Sequence, residues 1–150
     1  MNTRLPPPII LLFAAGAVWG IDWLVPAARV NAPWLSTSAL ALAAAAGTVV
    51  LMAAVWFARQ KTTINPLHPE RASHLLTTGP YAISRNPIYL ADAALLLAWA
   101  LWLGNGAGVL MVPVFMRTLT RLQIRPEEQA LALKFGEAYR DYCRRVRRWL

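Results

Sequence analysis

Apolar residues along this chain gather into four stretches. Ile9 to Pro26 reads IILLFAAGAVWGIDWLVP and is interrupted only by Asp22; Ser38 to Ala58 reads SALALAAAAGTVVLMAAVWFA without a charge until it ends. Ile88 to Leu103 (IYLADAALLLAWALWL) and Ala107 to Leu122 (AGVLMVPVFMRTLTRL) are shorter, and the turn Gly104-Asn105-Gly106 joins them as a helical hairpin. A membrane-crossing helix needs roughly 20 mostly apolar residues, a length the second stretch meets cleanly. A different period follows. Leu131, Phe135, Tyr139, Tyr142, Val146 and Trp149 recur every three or four residues, with Lys134, Arg140, Asp141, Arg144 and Arg145 between them. That spacing predicts an amphipathic helix over 126–148, with Pro126 as its first residue and Glu127 and Glu128 in its first turn. The expected fold is all-α. It is a single domain over 1–150, a polytopic membrane protein with transmembrane helices at about 9–26, 38–58, 88–103 and 107–122. A loop over 59–87 and the C-terminal helix lie at one surface.

Composition supports this reading. Hydrophobic residues make up 57 % and charged residues 15 %, too apolar for an ordinary soluble domain. Tryptophans 19, 23, 34, 56, 99 and 102 sit near the proposed helix ends, where aromatic belts form. Cys143 is the single cysteine, which excludes an internal disulfide and a cysteine-based zinc site. His68, His74 and Glu70 match no metal-ligand spacing, so no metal is expected. Arg4 is a thin basic region and Asp22 follows the apolar run, so the first stretch reads as a span rather than a cleaved signal peptide.

The net charge of +8 matters through its distribution. The 27–37 connection carries only Arg29 and the 104–106 turn carries no basic residue. The 59–87 connection carries Arg59, Lys61, Arg71 and Arg85, and nine more basic residues follow position 116. The positive-inside rule then places the long loop and both termini in the cytoplasm, with a bacterial inner membrane as the expected location. Orientation and anionic lipid, at ~1 kcal/mol per basic residue near the surface, account for the basic tail. Nucleic acid is not an expected partner, because no aromatic residues interleave with the basic ones in the pattern that stacking needs.

Two constellations carry chemistry. The first is GPYAISRNPIYLA, Gly79 to Ala91. Gly79-Pro80 is a turn signal. Asn86 can cap a helix and Pro87 can occupy its first position, so the third helix starts at Pro87. Its free backbone N–H groups attract electron-rich groups, Tyr81 and Tyr89 add flat faces and hydroxyls, and Arg85 adds a guanidinium fork. The second is RTLTRLQIRPEEQAL, Arg117 to Leu131. Arg117, Arg121 and Arg125 are four apart and share a helix face, and Pro126 is expected to bend the path toward Glu128. Each constellation also admits a plain reading: a well-made helix start with interfacial anchors, and snorkelling arginines beside a capping glutamate pair.

Taken together, GPYxxxRNPxY before one membrane helix and EExxLxxxFGxxYxxY after the next resemble the isoprenylcysteine carboxyl methyltransferase family. The related phospholipid methyltransferases share that outline. The resemblance covers about Thr62 to Val146. It implies an integral membrane enzyme that uses S-adenosylmethionine, with S-adenosylhomocysteine as product, and no Rossmann domain. Carried over, the cofactor contacts fall on His74, Leu75, Leu76, Tyr81, Asn86, Pro87, Ile88, Tyr89, Glu127 and Glu128. The substrate-facing arginine of the family maps onto Arg121, and Arg85 braces the loop or neutralises the cofactor carboxylate. Asn86 stands where eukaryotic members carry histidine. The expected acceptor is a lipophilic small molecule or lipid offering a carboxylate, thiol or amine.

Asp22 and Asp92 lie inside apolar stretches, where a carboxylate is costly. Asp92 is placed to meet Arg117 or Arg121. Asp22 suggests an alternative function, a small four-helix membrane transporter with Asp22 as its ion or proton site, which leaves the Gly79–Ala91 motif and the structured tail without a purpose.

Overall fold

The computed structural model describes residues 6–59 and 75–150. Among these every regular element is helical and no strand forms. Helix α1 spans Pro7–Leu24, α2 Pro33–Arg59 and α3 Pro87–Leu103. Each begins on a proline, whose missing N–H costs nothing at a first helical position and whose fixed φ suits the helix. The stretches Pro7–Leu24 and Pro33–Trp56 are long and apolar enough to cross a membrane, while α3 is shorter at 17 residues. With 27 residues, α2 is about 40 Å long at 1.5 Å per residue, more than the ~30 Å hydrocarbon core of a bilayer.

Helix α3 packs against both α1 and α2. Its partners on α2 are small: Ala39, Ala46 and Ala53 are buried at seven-residue spacing, and Ala91 and Ala98 are buried on α3 at the same spacing. Small side chains let two backbones approach closely, the usual way helices associate where lipid competes for large apolar ones. Ile10, Ala14 and Val18 of α1 meet Tyr89, Ala93, Leu96 and Ala100 of α3 in the central core. Leu12, Phe13, Trp23, Leu40 and Leu51 stay exposed, as an outer surface facing lipid would require.

The fourth apolar stretch departs from expectation. Instead of one helix over 107–122 and a new one from Pro126, the chain forms a short α4 (Gly106–Val109) and α5 (Met111–Leu119). A π turn (Thr120–Ile124) then leads directly into α6 (Arg125–Arg145). The path does not break at Pro126. Proline offers no N–H to the Leu122 carbonyl and its ring crowds that turn. The π turn widens the helix at this point, and the Arg125 N–H reaches back to the Thr120 carbonyl. The bend lies further on, at Gly136, whose φ of 51° and ψ of −120° are accessible to glycine alone without strain. Helix α6 ends at Arg145, short of the expected 148, and Val146 is extended. Tyr139, Tyr142 and Val146 form a second small core with Leu75, Leu131 and Phe135.

Asp22 has a structural partner. Arg29 donates Nε to Asp22 Oδ1 at 2.7 Å and Nη2 to Oδ2 at 2.6 Å, and Asn105 Nδ2 donates to Oδ1 at 3.2 Å. Asn105, 1 % exposed, also donates to the Val25 carbonyl and accepts from the N–H groups of Ala107 and Gly108. One residue thus ties the end of α1 to the turn before α4. This pairing gives Asp22 the work of a counter-ion rather than of an ion site.

Candidate active site

At the opposite end of α3, Gly79–Ala82 forms a 3₁₀ turn that leads to the helix start at Pro87. Gly79 adopts φ +63°, and a Cβ there would lie 2.7 Å from the Trp56 ring of α2, so only glycine lets the loop rest on that helix. Asn86 occupies the position before α3, yet its side chain does not cap it. Asn86 Nδ2 donates instead to the Arg148 carbonyl at 2.9 Å, and the Asn86 N–H donates to Ser84 Oγ at 3.1 Å. Ser84 Oγ donates in turn to the Arg148 carbonyl, and the Arg85 N–H to the Arg147 carbonyl. The residues after α6 therefore return to lie along the 84–86 segment.

The two sequence constellations meet here. The Tyr89 hydroxyl donates to Glu127 Oε1 at 2.7 Å. Arg148 grips Glu128 with both arms of its fork, Nε to Oε1 at 2.9 Å and Nη2 to Oε2 at 2.6 Å, and this bond raises the pKa of the guanidinium above its ordinary value. Arg85 approaches the same carboxylate through Nη2 at 3.2 Å and also donates to Cys143 Sγ. Tyr142 donates to the Tyr81 carbonyl at 2.7 Å; burial pushes both its phenol and that of Tyr81 up, so each stays a neutral hydroxyl.

Two cavities flank this cluster. One, of about 450 Å³, is lined by Arg85, Arg125, Glu128, Gln129, Ala132, Tyr139 and Cys143. The other, of about 360 Å³, is lined by Met116, Arg117, Thr120, Arg121, Arg125, Arg148 and Trp149. Arg125 lines both. The two arginines expected to be catalytic therefore sit in different places, Arg85 in the first cavity and Arg121 in the second. Among the residues expected to touch cofactor, Glu128 lines the first cavity and Glu127 is tied to Tyr89. Tyr81, Asn86, Pro87 and Ile88 build the adjoining turn and helix start. Leu75 packs on the second core, Leu76 is half-buried nearby, and His74 lies outside the described residues. Asp92 makes no ion pair with Arg117 or Arg121. Among the described residues no cluster of histidine, cysteine and carboxylate is placed to hold a metal.

The sequence reading missed Arg148, Tyr139 and Cys143 as parts of this site. Tyr139 and Tyr142 stood out only as an apolar stripe, and Arg148 only as one of many tail charges. Nothing local marks a residue that returns across more than sixty positions to reach Ser84 and Asn86.

The first cavity is walled by two guanidiniums, a carboxylate, an amide, a phenol and a thiol. Its volume falls in the range of small-molecule sites, about 300–1,000 Å³. Arg85 Nε is buried without a hydrogen-bond partner. Arg85 and Arg125 present guanidinium donors suited to a carboxylate, and Glu128 is the carboxylate on the wall.

Fold and site together define a helical membrane protein with a polar, arginine- and glutamate-walled site at the mouth of an apolar helix. The phospholipid methyltransferase family profile matches residues 34–138, from α2 to the last turns of α6, and the chain belongs to that family. It is accordingly a membrane methyltransferase. Among curated proteins, one from Haemophilus influenzae described as uncharacterized is 48 % identical over 63 residues, 42 % of this chain and the whole of that protein. The Delta(14)-sterol reductase of Mus musculus is 36 % identical over 74 residues, 48 % of this chain but only 18 % of the reductase. No solved structure matches the chain.

Proposed function

We propose that this protein transfers a methyl group from S-adenosylmethionine to a lipophilic acceptor where the membrane meets the cytoplasm. The observation that carries this reading is the joining of two motifs remote in sequence. The Gly79–Tyr89 turn and helix start and the Glu127–Glu128 pair come together at one end of α3, bonded through Tyr89–Glu127 and Arg85–Glu128. When bound, the cofactor supplies an electrophilic methyl sulfonium. The chain's own residues then have to hold donor and acceptor in line, because charge is neutralised as a carboxylate, thiolate or amine attacks.

In this arrangement the first cavity takes the cofactor, with Arg85 and Arg125 toward its carboxylate and Glu127 holding the helix start beside it through Tyr89. Arg121 holds an anionic acceptor in the second cavity. The acceptor enters from the bilayer and the cofactor from the cytoplasm. Four spans with both termini inside, in a bacterial inner membrane, keep the basic 59–87 loop and tail on the cytoplasmic side.

The test is direct. Purified protein in detergent should bind S-adenosylhomocysteine in the micromolar range, about 8 kcal/mol. Calorimetry with no heat, together with no thermal shift at millimolar ligand, would remove the reading. For topology, a cysteine at exposed position 31 should react with an impermeant maleimide from outside and one at position 70 only from the cytoplasm; the reverse pattern overturns the orientation.

A further inference from the structure

Glu128 was expected among the cofactor contacts, but its charge is already engaged. Its Oε1 accepts from Arg148 Nε and forms an ion pair with Arg85 Nη2, and its Oε2 accepts from Arg148 Nη2. The Arg148 contacts, at 2.9 and 2.6 Å, are bidentate. The Arg85 contact is single and longer, 3.2 Å. Arg148 does not line the larger cavity; it lines the smaller one and reaches Glu128 from that side. Its backbone is fixed by the bonds that Ser84 and Asn86 donate to its carbonyl. Arg125, the other guanidinium facing the larger cavity, has no ion pair among the described residues.

We propose that Arg148 is a positioning residue that sets the sign of the cofactor cavity: by pairing with Glu128 it leaves Arg85 and Arg125 to hold the carboxylate of an amino-acid-bearing nucleoside. The inference rests on the methyltransferase reading above and adds the orientation of the ligand within it. The balance of charge decides the outcome. With Arg148 on Glu128 the pair is neutral, and two guanidiniums remain turned to the cavity. Without Arg148, Glu128 turns fully to Arg85, closes that fork, and repels an incoming carboxylate. Arginine suits the task because a lysine cannot reproduce the two parallel bonds. Arg148 lies beyond residues 34–138, the part of the chain that the family profile matches.

The experiment compares two probes that share nucleoside and thioether but differ in the amino-acid tail, S-adenosylhomocysteine and 5′-methylthioadenosine. Affinities are measured by calorimetry on the full-length parent, Arg148→Gln, Arg148→Lys and the double variant Glu128→Gln/Arg148→Gln. The parent should prefer S-adenosylhomocysteine. Arg148→Gln should lose about tenfold of that affinity, the range of one charge-assisted bond, while 5′-methylthioadenosine stays within about twofold. Arg148→Lys should fall between, and the double variant should regain the preference because the carboxylate that would capture Arg85 is gone. Equal loss of both probes would mean a merely structural arginine and overturn the proposal. So would tighter binding by Arg148→Gln, which would make the tail an obstruction, or a double variant no better than the single one. A parent that binds neither probe removes the methyltransferase reading and this inference with it; a parent that binds, with an unchanged ratio in Arg148→Gln, removes the inference alone.

Discussion

The molecule carries a forked arginine–carboxylate pair at each end of α3, and the two ends use it differently. At the Asn105 end, Asp22 and Arg29 stand one to one, and Asn105 completes the carboxylate's coordination while filling its own donors and acceptor. Charge balances there. At the Glu128 end the same fork-on-carboxylate geometry stands among surplus cations: Arg85, Arg125, Arg121 and Arg117 crowd beside it around two cavities. One pair fastens helices together; the other stands in a surplus of positive charge around two cavities. Arginine–carboxylate geometry alone therefore does not separate the two ends. The balance of charge around each pair does.

The sharpest way to break this comparison is to remove the fastening. Asn105→Ala strips partners from the Val25 carbonyl and from two N–H groups at a 1 % exposed position. It should cost about 2–4 kcal/mol, several buried hydrogen bonds together, read as a lower midpoint of unfolding in detergent. Affinity for S-adenosylhomocysteine in the surviving folded fraction should not change; a matching loss would mean that the two ends are one unit.

At the other end the effects should reverse. Glu127→Gln keeps its size but weakens the bond from Tyr89 that joins the two motifs beside the proposed cofactor cavity. Binding of S-adenosylhomocysteine should weaken by ~1–3 kcal/mol, while the unfolding midpoint stays close to that of the parent. Arg121→Lys should lower methyl transfer at least about tenfold, ~1.4 kcal/mol, and leave cofactor affinity within about twofold. A snorkelling arginine would tolerate lysine, so unchanged turnover assigns Arg121 to the membrane surface and removes it from the acceptor site. The smallest effect belongs to the exposed network of Glu137 with Arg140 and Arg144 on α6. Glu137→Gln should change stability by less than about 0.5 kcal/mol, since water screens such pairs. A larger change would show that pairing matters in this protein even without burial.

Much of this was legible in order along the chain. The start of α3 at Pro87, the turn at Gly104 and Asn105, and the buried stripe of Tyr139, Tyr142 and Val146 are local consequences of proline geometry, turn residues and helical periodicity. The meeting of Tyr89 with Glu127 was legible only because two motifs resembled one family. What stayed hidden is long-range or depends on a balance of turns. Arg29 finds Asp22 by doubling back through the Pro26–Ala28 turn, and Arg148 finds Asn86 across 62 positions. The proline at 126 read as a break because a proline removes one hydrogen bond. That a wider turn would absorb the loss depends on how α5 and α6 pack, which no local pattern records.

That wider turn has a consequence for how the chain is measured out. A π turn holds one residue more than an α turn needs, so Thr120–Ile124 takes up an extra residue in its own width. A π turn of five residues and an α turn of four advance by nearly the same angle, so removing one of these five would let the segment close as ordinary α-helix with α6 kept on nearly its present bearing against α5. Adding a residue to α5, with no second wide turn to take it up, would instead rotate everything after it by about 100°. Glu127 would then swing away from Tyr89, Glu128 from Arg85, and Arg125 from the wall between the cavities, though each helix would still form. The wide turn is one residue of slack in the path from α5 to α6, and the chain tolerates a shorter segment there better than a longer one.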